Sequence, residues 1–307
     1  MLSADQISSY RENGYLMIRD ALLPDQLATL QDLTNEFIEA SRAVSESNDI
    51  FDLDDGHSAA QPRLTRIKLP HIRHPAFWEV ATSDRLTSFL KPLVGDNIRL
   101  HTSKLNTKAP GGGAAVEWHQ DWAFFPHTND DLFSVGIMLE DVTLANGPLM
   151  VIPETHKGPV LSHHQGGVFC GAIDPAHPTF DLDRAVTLTG QAGDMSIHHV
   201  RLLHGSAPNM SDGARKILFY EMGAADAWPI NGNSGAYTGM SQRDVWAKLH
   251  ENMICGTQPI SARLADVPVI MPVPPPPDGS SIFKVQRSGG AVSAFATQAE
   301  NRSEQPA

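Results

Sequence analysis

The sequence predicts a mainly β protein: a double-stranded β-helix, or cupin-like jelly roll, with flanking helices. From Ile98 onward, short β-like runs alternate with turn signals such as Asn146-Gly147-Pro148 and Ser211-Asp212-Gly213. The first 97 residues instead show apolar residues at helical spacing. Many short strands after helices are typical of a barrel or double sheet with helices packed outside it.

The elements of the first part follow from capping and turn residues. Ser3-x-x-Gln6 is a capping-box pattern and Gly14 a stop signal, so a short helix is predicted between them, followed by a strand at Tyr15–Ile18. Pro24 suits the first turn of a longer helix that runs towards Ser45. Further predictions are a polar loop at 48–61 and a helix at Phe77–Leu93.

Seven β-like runs are predicted after residue 97: Ile98–Asn106, Ala115–Trp122, Leu132–Leu139, Leu149–Ile152, Ala185–Leu188, Asp194–His199 and Lys216–Met222. A helix is predicted at Met240–Met253, and the proline-rich stretch around Pro274–Pro277 predicts an extended strap. We therefore expect one domain over residues 1–287, with a helical part (1–97), a jelly-roll core (98–225) and a C-terminal helix and strap (226–287). Residues 288–307 are expected to form a mobile tail.

Composition excludes several classes of protein. The chain has 307 residues and a formal net charge of −12, which argues against a nucleic-acid partner and against an anionic membrane surface. Its two cysteines form no C-x-x-C pair, so neither a thiolate zinc site nor a redox pair is predicted. With no signal-peptide pattern at the start, the expectation is a cytoplasmic protein, monomeric or homodimeric, that acts on a small molecule.

The chemistry of the chain is indicated by His119-Gln120-Asp121, His204 and Arg215. In a strand, an H-x-D pair places both side chains on one face. A second histidine from a distant strand would complete two imidazoles and one carboxylate on one face of a metal, a set typical of non-haem Fe(II) oxygenases. Arg215 follows His204 by 11 residues, and its planar guanidinium suits a co-substrate carboxylate, with Ser206 as a possible neighbour.

Two alternatives stay open at this stage. Zinc hydrolases also use two histidines and a carboxylate, although often as H-E-x-x-H on a helix, which this chain lacks. A non-catalytic jelly roll could keep the same metal site for binding alone. The zinc hydrolase has no need of Arg215 or Ser206, and the non-catalytic protein would release no succinate with any substrate. The aromatic side chains around the motif are predicted either to form a substrate wall or to belong to the core: Trp118, Trp122, Phe124 and Phe125.

Two stretches closely resemble the phytanoyl-CoA dioxygenase family of Fe(II)- and 2-oxoglutarate-dependent oxygenases. They are WHQDWAFFPHTNDDLFSVGIMLEDVTLANGPLMVIPETHKG and LTGQAGDMSIHHVRLLHGSAPNMSDGARKILFYEM. The first contains the HQD, the Asn-Gly-x-Leu turn and the I-P-x-x-H-K run of the family. The second contains its G-D segment and its H-G-S-x-x-N-x-S-x-x-x-R pattern. The resemblance covers roughly residues 5–225 of the chain.

The resemblance implies a jelly-roll fold, Fe(II) as the metal, and 2-oxoglutarate and O2 as co-substrates. His119, Asp121 and His204 match the iron ligands, and Arg215 and Ser206 match the residues that hold the distal carboxylate of 2-oxoglutarate. Further contacts to co-substrate or pocket are expected from Lys68, Gln120, Ser103 and Asn106, with an ordinary polar strand or loop residue as the alternative for each.

The reaction that the resemblance implies is hydroxylation of an unactivated C–H bond of a small organic substrate, an acyl-CoA or another metabolite, with release of succinate and CO2. The stretch Phe133-Ser134-Val135-Gly136-Ile137 lacks a Trp of the family's acyl-CoA enzymes, which puts an acyl-CoA substrate in doubt. Asp121 is present, and halogenases of this type lose that carboxylate. The sequence therefore predicts a dioxygenase but does not identify its substrate.

Overall fold

The structure is a computed structural model, and it describes residues 1–230, 239–277 and 281–295. Two antiparallel sheets face each other, and helices cover the outer face of the larger sheet. The helices are α1 (Ala4–Asn13), α2 (Pro24–Ala40), α3 (Pro70–Arg73), α4 (Pro75–Thr82), α5 (Asp84–Val94), α6 (Gln242–Glu251) and α7 (Ile282–Ser288). No helix among these residues is long and apolar enough to cross a bilayer.

The strands are β1 (Tyr15–Ile18), β2 (Phe51–Leu53), β3 (Leu64–Lys68), β4 (Ile98–Lys108), β5 (Val116–His119), β6 (Leu132–Met138), β7 (Leu149–Val151), β8 (His164–Gln165), β9 (Val168–Phe169), β10 (Val186–Leu188), β11 (Met195–His199), β12 (His204–Ser206), β13 (Arg215–Ala224) and β14 (Met253–Cys255). The larger sheet has the order β1-β11-β6-β13-β4-β3-β2, with β14 on β4, and the smaller one β10-β7-β12-β5. The predicted jelly roll is confirmed.

Alternation along β13 separates the core of the protein from its site. Leu218, Tyr220 and Met222 belong to the main apolar cluster, which the helices cover. Arg215 and Glu221 point the other way, into the space between the two sheets. Because side chains of a strand alternate between its two faces, one ten-residue strand supplies both the packing that holds the helices and the polar groups of the cavity.

Several predicted boundaries are corrected by the structure. The segment expected to be a loop at 48–61 contains β2, which pairs with β3; its Asp52 is buried in ion pairs, so an acidic composition hid a strand. The single helix expected at Phe77–Leu93 is two helices, because Ser83 caps α5 with its side chain. The strand expected at Ala115–Trp122 ends at His119, and a 3-10 turn follows it.

The C-terminal part differs from its expectation as well. Residues 282–288 form α7, and Phe295 is buried against Trp118, with ring centroids 6.3 Å apart. Residues 288–295 are therefore packed rather than a mobile tail, since Phe295 supplies the apolar cover that Trp118 needs. Residues 296–307 lie outside the described residues. The assignment of one domain over residues 1–287 stays a prediction.

Candidate metal centre and co-substrate pocket

Three predicted ligands converge between the two sheets. His119 ends β5 and His204 begins β12, and the two residues face each other in the antiparallel register. Asp121 sits in the 3-10 turn after β5. One donor atom from each of the three lies within 4.8 Å of the others, and all three side chains are buried. The predicted H-x-D and distal histidine therefore meet in space.

Both imidazoles are held with the same nitrogen towards the cluster. Nδ1 of His119 lies 2.8 Å from the carbonyl of Glu117, and Nδ1 of His204 lies 2.9 Å from the carbonyl of Leu202. A carbonyl can only accept, so each Nδ1 carries a proton, and Nε2 is the atom of each ring that faces the cluster and would bind a metal. Nε2 of His119 is 3.5 Å from one oxygen of Asp121, and Nε2 of His204 is 3.8 Å from the other.

The electrostatics of the cluster suit a divalent cation. Burial holds the pKa of His204 well below its usual range, so this imidazole is neutral and able to ligate. Burial alone would raise the pKa of Asp121, but its polar surroundings, which include the charge of Lys104, hold it well below its usual range. Two neutral imidazoles and one carboxylate form the donor set of a facial Fe(II) site with open positions. The residues present therefore fit the iron that the sequence predicted.

Arg215 and Ser206 line the same cavity as the three ligands. Arg215 opens β13 and is buried; its Nη1 donates to the carbonyl of Gly147 at 3.1 Å, while its Nε has no partner among the described residues. Burial lowers the pKa of Arg215 to about 10. A buried guanidinium with unused donors, aimed into a cavity, is the arrangement that an anionic carboxylate would satisfy.

Gln120 is not brought into the cavity. Its side chain is fully buried: Oε1 accepts from the backbone N–H of Leu161 at 2.9 Å, and Nε2 donates to the carbonyl of Arg201 at 2.8 Å. It points away from its two neighbours in the H-Q-D motif, because alternate residues of an extended chain face opposite sides. The expected co-substrate contact of Gln120 is therefore wrong, and the residue anchors two loops instead.

Lys68 lies at a different place from Arg215. It lines a second, outer cavity of about 430 Å³ that opens onto Asp121. Its Nζ contacts Asp52 at 2.8 Å and donates to the carbonyl of Asn48 at 2.7 Å. Ser103 also lines the outer cavity, while Asn106 lines both cavities. The structure thus places Lys68 on the wall of the outer cavity rather than beside the distal carboxylate site.

A polar row crosses the floor of the site; His198 was a lower-ranked candidate from the sequence, whereas Ser134 and Glu221 were not predicted. His198, Ser134 and Glu221 follow one another on the neighbouring strands β11, β6 and β13. The buried carboxylate of Glu221 accepts from Ser134 Oγ at 3.1 Å and contacts Lys104 Nζ at 3.0 Å. His198 Nε2 lies 3.4 Å from Asp121. The even spacing of Arg215 and Glu221 along one strand was a usable signal, but the pairing register was not.

The four aromatic residues near the motif divide between core and cavity. Trp118 and Trp122 are buried in two apolar clusters and line neither cavity. Phe124 and Phe125 line the outer cavity together with polar residues. Both expectations for these residues are therefore met in part, and the lining of the outer cavity is partly apolar and partly polar.

Comparison with known proteins agrees with this geometry. Residues 10–217 match the family described as Phytanoyl-CoA dioxygenase (PhyH). A probable alpha-ketoglutarate-dependent hypophosphite dioxygenase of Stutzerimonas stutzeri is 34% identical over 291 residues, which is 93% of this chain and 97% of the relative. Human peroxisomal phytanoyl-CoA dioxygenase is 28% identical over 250 residues, 75% of this chain and 71% of the relative. Alpha-ketoglutarate is another name for 2-oxoglutarate.

Solved structures show the same fold. EctD from S. alaskensis, crystallised with 2-oxoglutarate and 5-hydroxyectoine, is 26% identical with a TM-score of 0.59, covering 73% of this chain and 77% of that chain. The carbocyclase SnoK is 21% identical with a TM-score of 0.62, covering 78% of this chain and 92% of that chain, and shows likeness of fold alone. Family match, relatives and the converging ligand set agree, and the chain therefore belongs to the phytanoyl-CoA dioxygenase (PhyH) family of iron- and 2-oxoglutarate-dependent dioxygenases.

Proposed function

We propose that His119, Asp121 and His204 bind Fe(II) and that Arg215 and Ser206 bind the distal carboxylate of 2-oxoglutarate. The observation that carries this assignment is that one cavity is lined both by the three donors and by the buried guanidinium. The zinc-hydrolase alternative gives Arg215 no ligand, and burying it unpaired costs free energy. The non-catalytic alternative differs in that it predicts no succinate release with any substrate. In the oxygenase, the distal carboxylate of 2-oxoglutarate would pair with this guanidinium.

The bound metal supplies the activation of O2, with 2-oxoglutarate as the source of two electrons, so that succinate, CO2 and a hydroxylated product leave. The residues of the chain supply position and exclusion of water. His119 and His204 keep their Nε2 atoms aimed at the metal because their Nδ1 atoms are tied to the backbone. Arg215 fixes the far end of the co-substrate, and Trp118 and Trp122 help to close the wall behind β5.

We further propose that the substrate is a small anion. Lys104 lines both cavities beside Asp121 and is paired with Glu221, and Lys68 and Arg66 line the outer cavity and are paired with Asp52. The donors for an anion near the proposed metal position are therefore three ion-paired cations of β3 and β4. A relative covering nearly the whole chain is named for hypophosphite, a small oxyanion. The outer cavity, at about 430 Å³, is of the size that holds a small metabolite, which makes hypophosphite or a small oxyanion-bearing metabolite a better candidate than an acyl-CoA.

The test is succinate release with a panel of candidate substrates: hypophosphite, short organic acids and phosphonates, their neutral analogues and an acyl-CoA. The proposal predicts release with one or more of the anions and none above background with the neutral analogues. The double variant Lys104→Met/Glu221→Gln removes the cation without leaving its carboxylate partner unpaired, and should raise KM for the anion about tenfold or more. Lys216→Met, which removes a cation paired with Glu140 outside the site, is the matched control.

Release with neutral analogues or the acyl-CoA but with none of the anions would contradict the substrate class. Absence of succinate with every compound, together with hydrolysis by a zinc-loaded enzyme, would contradict the residue assignment itself. The expectations of a cytoplasmic location, of a monomer or homodimer, and of no nucleic-acid or membrane partner stay predictions.

A further inference from the structure

A buried lysine lies behind the distal end of the co-substrate pocket. Lys108, the last residue of β4, is 1% exposed. Its Nζ donates to Ser206 Oγ at 2.7 Å, to the carbonyl of Ser206 at 3.1 Å and to the carbonyl of Ala207. Lys108 does not line the cavity, whereas Ser206 does. Its contact with the pocket therefore passes through Ser206.

The same lysine faces a second buried cation. Lys108 and Arg215 are direct partners in the antiparallel register of β4 and β13. Within the part of the chain that the structure describes, neither has a carboxylate at ion-pair distance. Like charges opposite each other on neighbouring strands destabilise a sheet, and buried unpaired charges do so more strongly. This end of the cavity is therefore built around an anion that the chain itself does not supply.

The hydrogen bond from Lys108 decides which way the hydroxyl of Ser206 points. Burial and the neighbouring Arg215 hold the pKa of Lys108 well below its usual range, but all three contacts of its Nζ are oxygens, and two of them are carbonyls that can only accept. These contacts suit an ammonium group, which has three donors and no acceptor, and Ser206 Oγ must accept from that form. The hydroxyl proton of Ser206 is then left for a different acceptor, and the open side of Oγ is the cavity. Without the ammonium, the hydroxyl could instead donate to the carbonyls that Lys108 now occupies, and would present a lone pair to the cavity.

We propose that Lys108 is a positioning residue that orients the Ser206 hydroxyl as a donor and, together with Arg215, makes this end of the pocket selective for 2-oxo acids with a distal carboxylate. The inference rests on the proposed function, in which 2-oxoglutarate is the co-substrate of the pocket. Lys108 acts on binding of the distal carboxylate and leaves the keto-acid end, near His119 and His204, untouched.

The simpler account of Lys108 is packing. Its side chain ties β4 to the turn after β12, and the Cβ position of Gly147 lies only 3.0 Å from Lys108 Cδ, so the surroundings are tight. A packing residue would affect all ligands of the pocket equally. An orienting residue affects only ligands that use the Ser206 hydroxyl, and that difference is measurable.

The experiment is an anaerobic titration of the Fe(II)-loaded protein with 2-oxoglutarate and with 2-oxovalerate, which has the same keto-acid end but no distal carboxylate. Binding is read from the visible charge-transfer absorption and, independently, from the ligand-induced shift in Tm. Variants are Lys108→Met, Ser206→Ala, the double variant, and Lys216→Met as a control one residue from Arg215 whose cation pairs outside the site.

The expected result is that Kd for 2-oxoglutarate rises about tenfold or more in Lys108→Met and in Ser206→Ala, because each loses a hydrogen bond to a charged group. Kd for 2-oxovalerate stays within about twofold of wild type. The double variant is no weaker than the worse single variant, since both remove one interaction. Lys216→Met binds both acids as the wild type does.

Equal weakening for both acids, or additive losses in the double variant, would overturn the proposal in favour of packing, as would an unchanged Kd for 2-oxoglutarate in Lys108→Met. If Lys108→Met fails to fold, Lys108→Arg keeps a donor near Ser206 and should retain the preference for 2-oxoglutarate over 2-oxovalerate; loss of that preference would overturn the proposal. Failure of the wild type to bind either acid would instead contradict the proposed function.

Discussion

Arg215 should destabilise the ligand-free protein, because its buried charge is needed to bind a co-substrate. Burial lowers the pKa of its guanidinium to about 10 from an ordinary 12.5. Since one pKa unit corresponds to about 1.4 kcal/mol, keeping the charge costs the ligand-free fold about 3 kcal/mol. The hydrogen bond to Gly147 returns about 1 kcal/mol. Arg215→Met should therefore raise the free energy of unfolding of the metal-free, 2-oxoglutarate-free protein by about 2 kcal/mol.

The same substitution should weaken binding of 2-oxoglutarate. A buried charge pair that loses one partner loses about 3–5 kcal/mol, which corresponds to an increase in Kd of about a hundredfold or more. The assay is thermal unfolding of wild type and Arg215→Met, each with a chelator and with Fe(II) plus 2-oxoglutarate under anaerobic conditions. The Tm of the wild type should rise when Fe(II) and 2-oxoglutarate are added. The Tm of Arg215→Met should be higher than that of the wild type without the ligands and should rise little when they are added.

Lys216→Met serves as the control, because its cation pairs with Glu140 outside the cavity. A large drop in Tm of ligand-free Arg215→Met would refute the reasoning, since it would mean that the guanidinium stabilises the fold through contacts within the chain. An unchanged 2-oxoglutarate dependence of Tm would refute the assignment of its ligand.

Three further predictions concern stability. Burial lowers the pKa of His163 to about 3, below its ordinary value of 6.5. The unfolded chain therefore takes up a proton at this histidine as the pH falls below 6.5 while the folded protein does not, and the free energy of unfolding decreases. Between pH 7 and pH 5, His163→Gln should lose about 2 kcal/mol less of this free energy than the wild type, as measured by denaturant titration. Phe295→Ala should cost about 3 kcal/mol by the same assay, and a loss below about 0.5 kcal/mol would mean a loose C-terminus. Gly147→Ala should destabilise the protein by more than Gly166→Ala. Both glycines have positive φ, but only a Cβ at Gly147 would meet backbone, 2.5 Å from the carbonyl oxygen of Ala207. Equal losses of stability in the two variants would contradict this steric argument.

The sequence predicted the candidate metal ligands because their chemistry and spacing are unusual. His119, Asp121 and His204 are close in the structure, although Asp121 reaches the cluster from a 3-10 turn rather than from the strand that the H-x-D spacing suggested. Arg215 was predicted from its distance to His204, and it lines the same cavity. Residue type, the H-x-D and His-to-Arg spacings and the family resemblance predicted that these four lie together, and their roles as ligands stay a proposal.

The second group of site residues depends on strand register, which the sequence does not reveal. Lys104, Lys108 and Glu221 acquire their roles only because β4 lies beside β13 in one particular alignment. A shift of one residue would turn each of them to the opposite face. Gln120 shows the converse error: it lies between two ligands in sequence, yet alternation directs it away from the cavity, where two loops occupy its hydrogen bonds.

Strands with charged residues were also hidden. β2 was expected to be a loop because of its acidic composition, but buried Asp52 pairs there with Arg66 and Lys68 of β3. Propensity describes single residues, whereas these side chains are accommodated in a sheet only as pairs. The packed end of the chain was missed for a similar reason, because the partner of Phe295 is Trp118, far away in sequence.

Every functional assignment depends on whether His119, Asp121, His204 and Arg215 form one site for Fe(II) and 2-oxoglutarate. The direct measurement is an anaerobic titration of the metal-free protein with Fe(II) and then 2-oxoglutarate, followed through the visible charge-transfer absorption of a chelated 2-oxo acid. We expect the band in the wild type, no band in His119→Ala, and a band in Arg215→Ala only at far higher 2-oxoglutarate concentration. Tight zinc binding with no band in the wild type, or an undiminished band in His119→Ala, would contradict a single site for Fe(II) and 2-oxoglutarate.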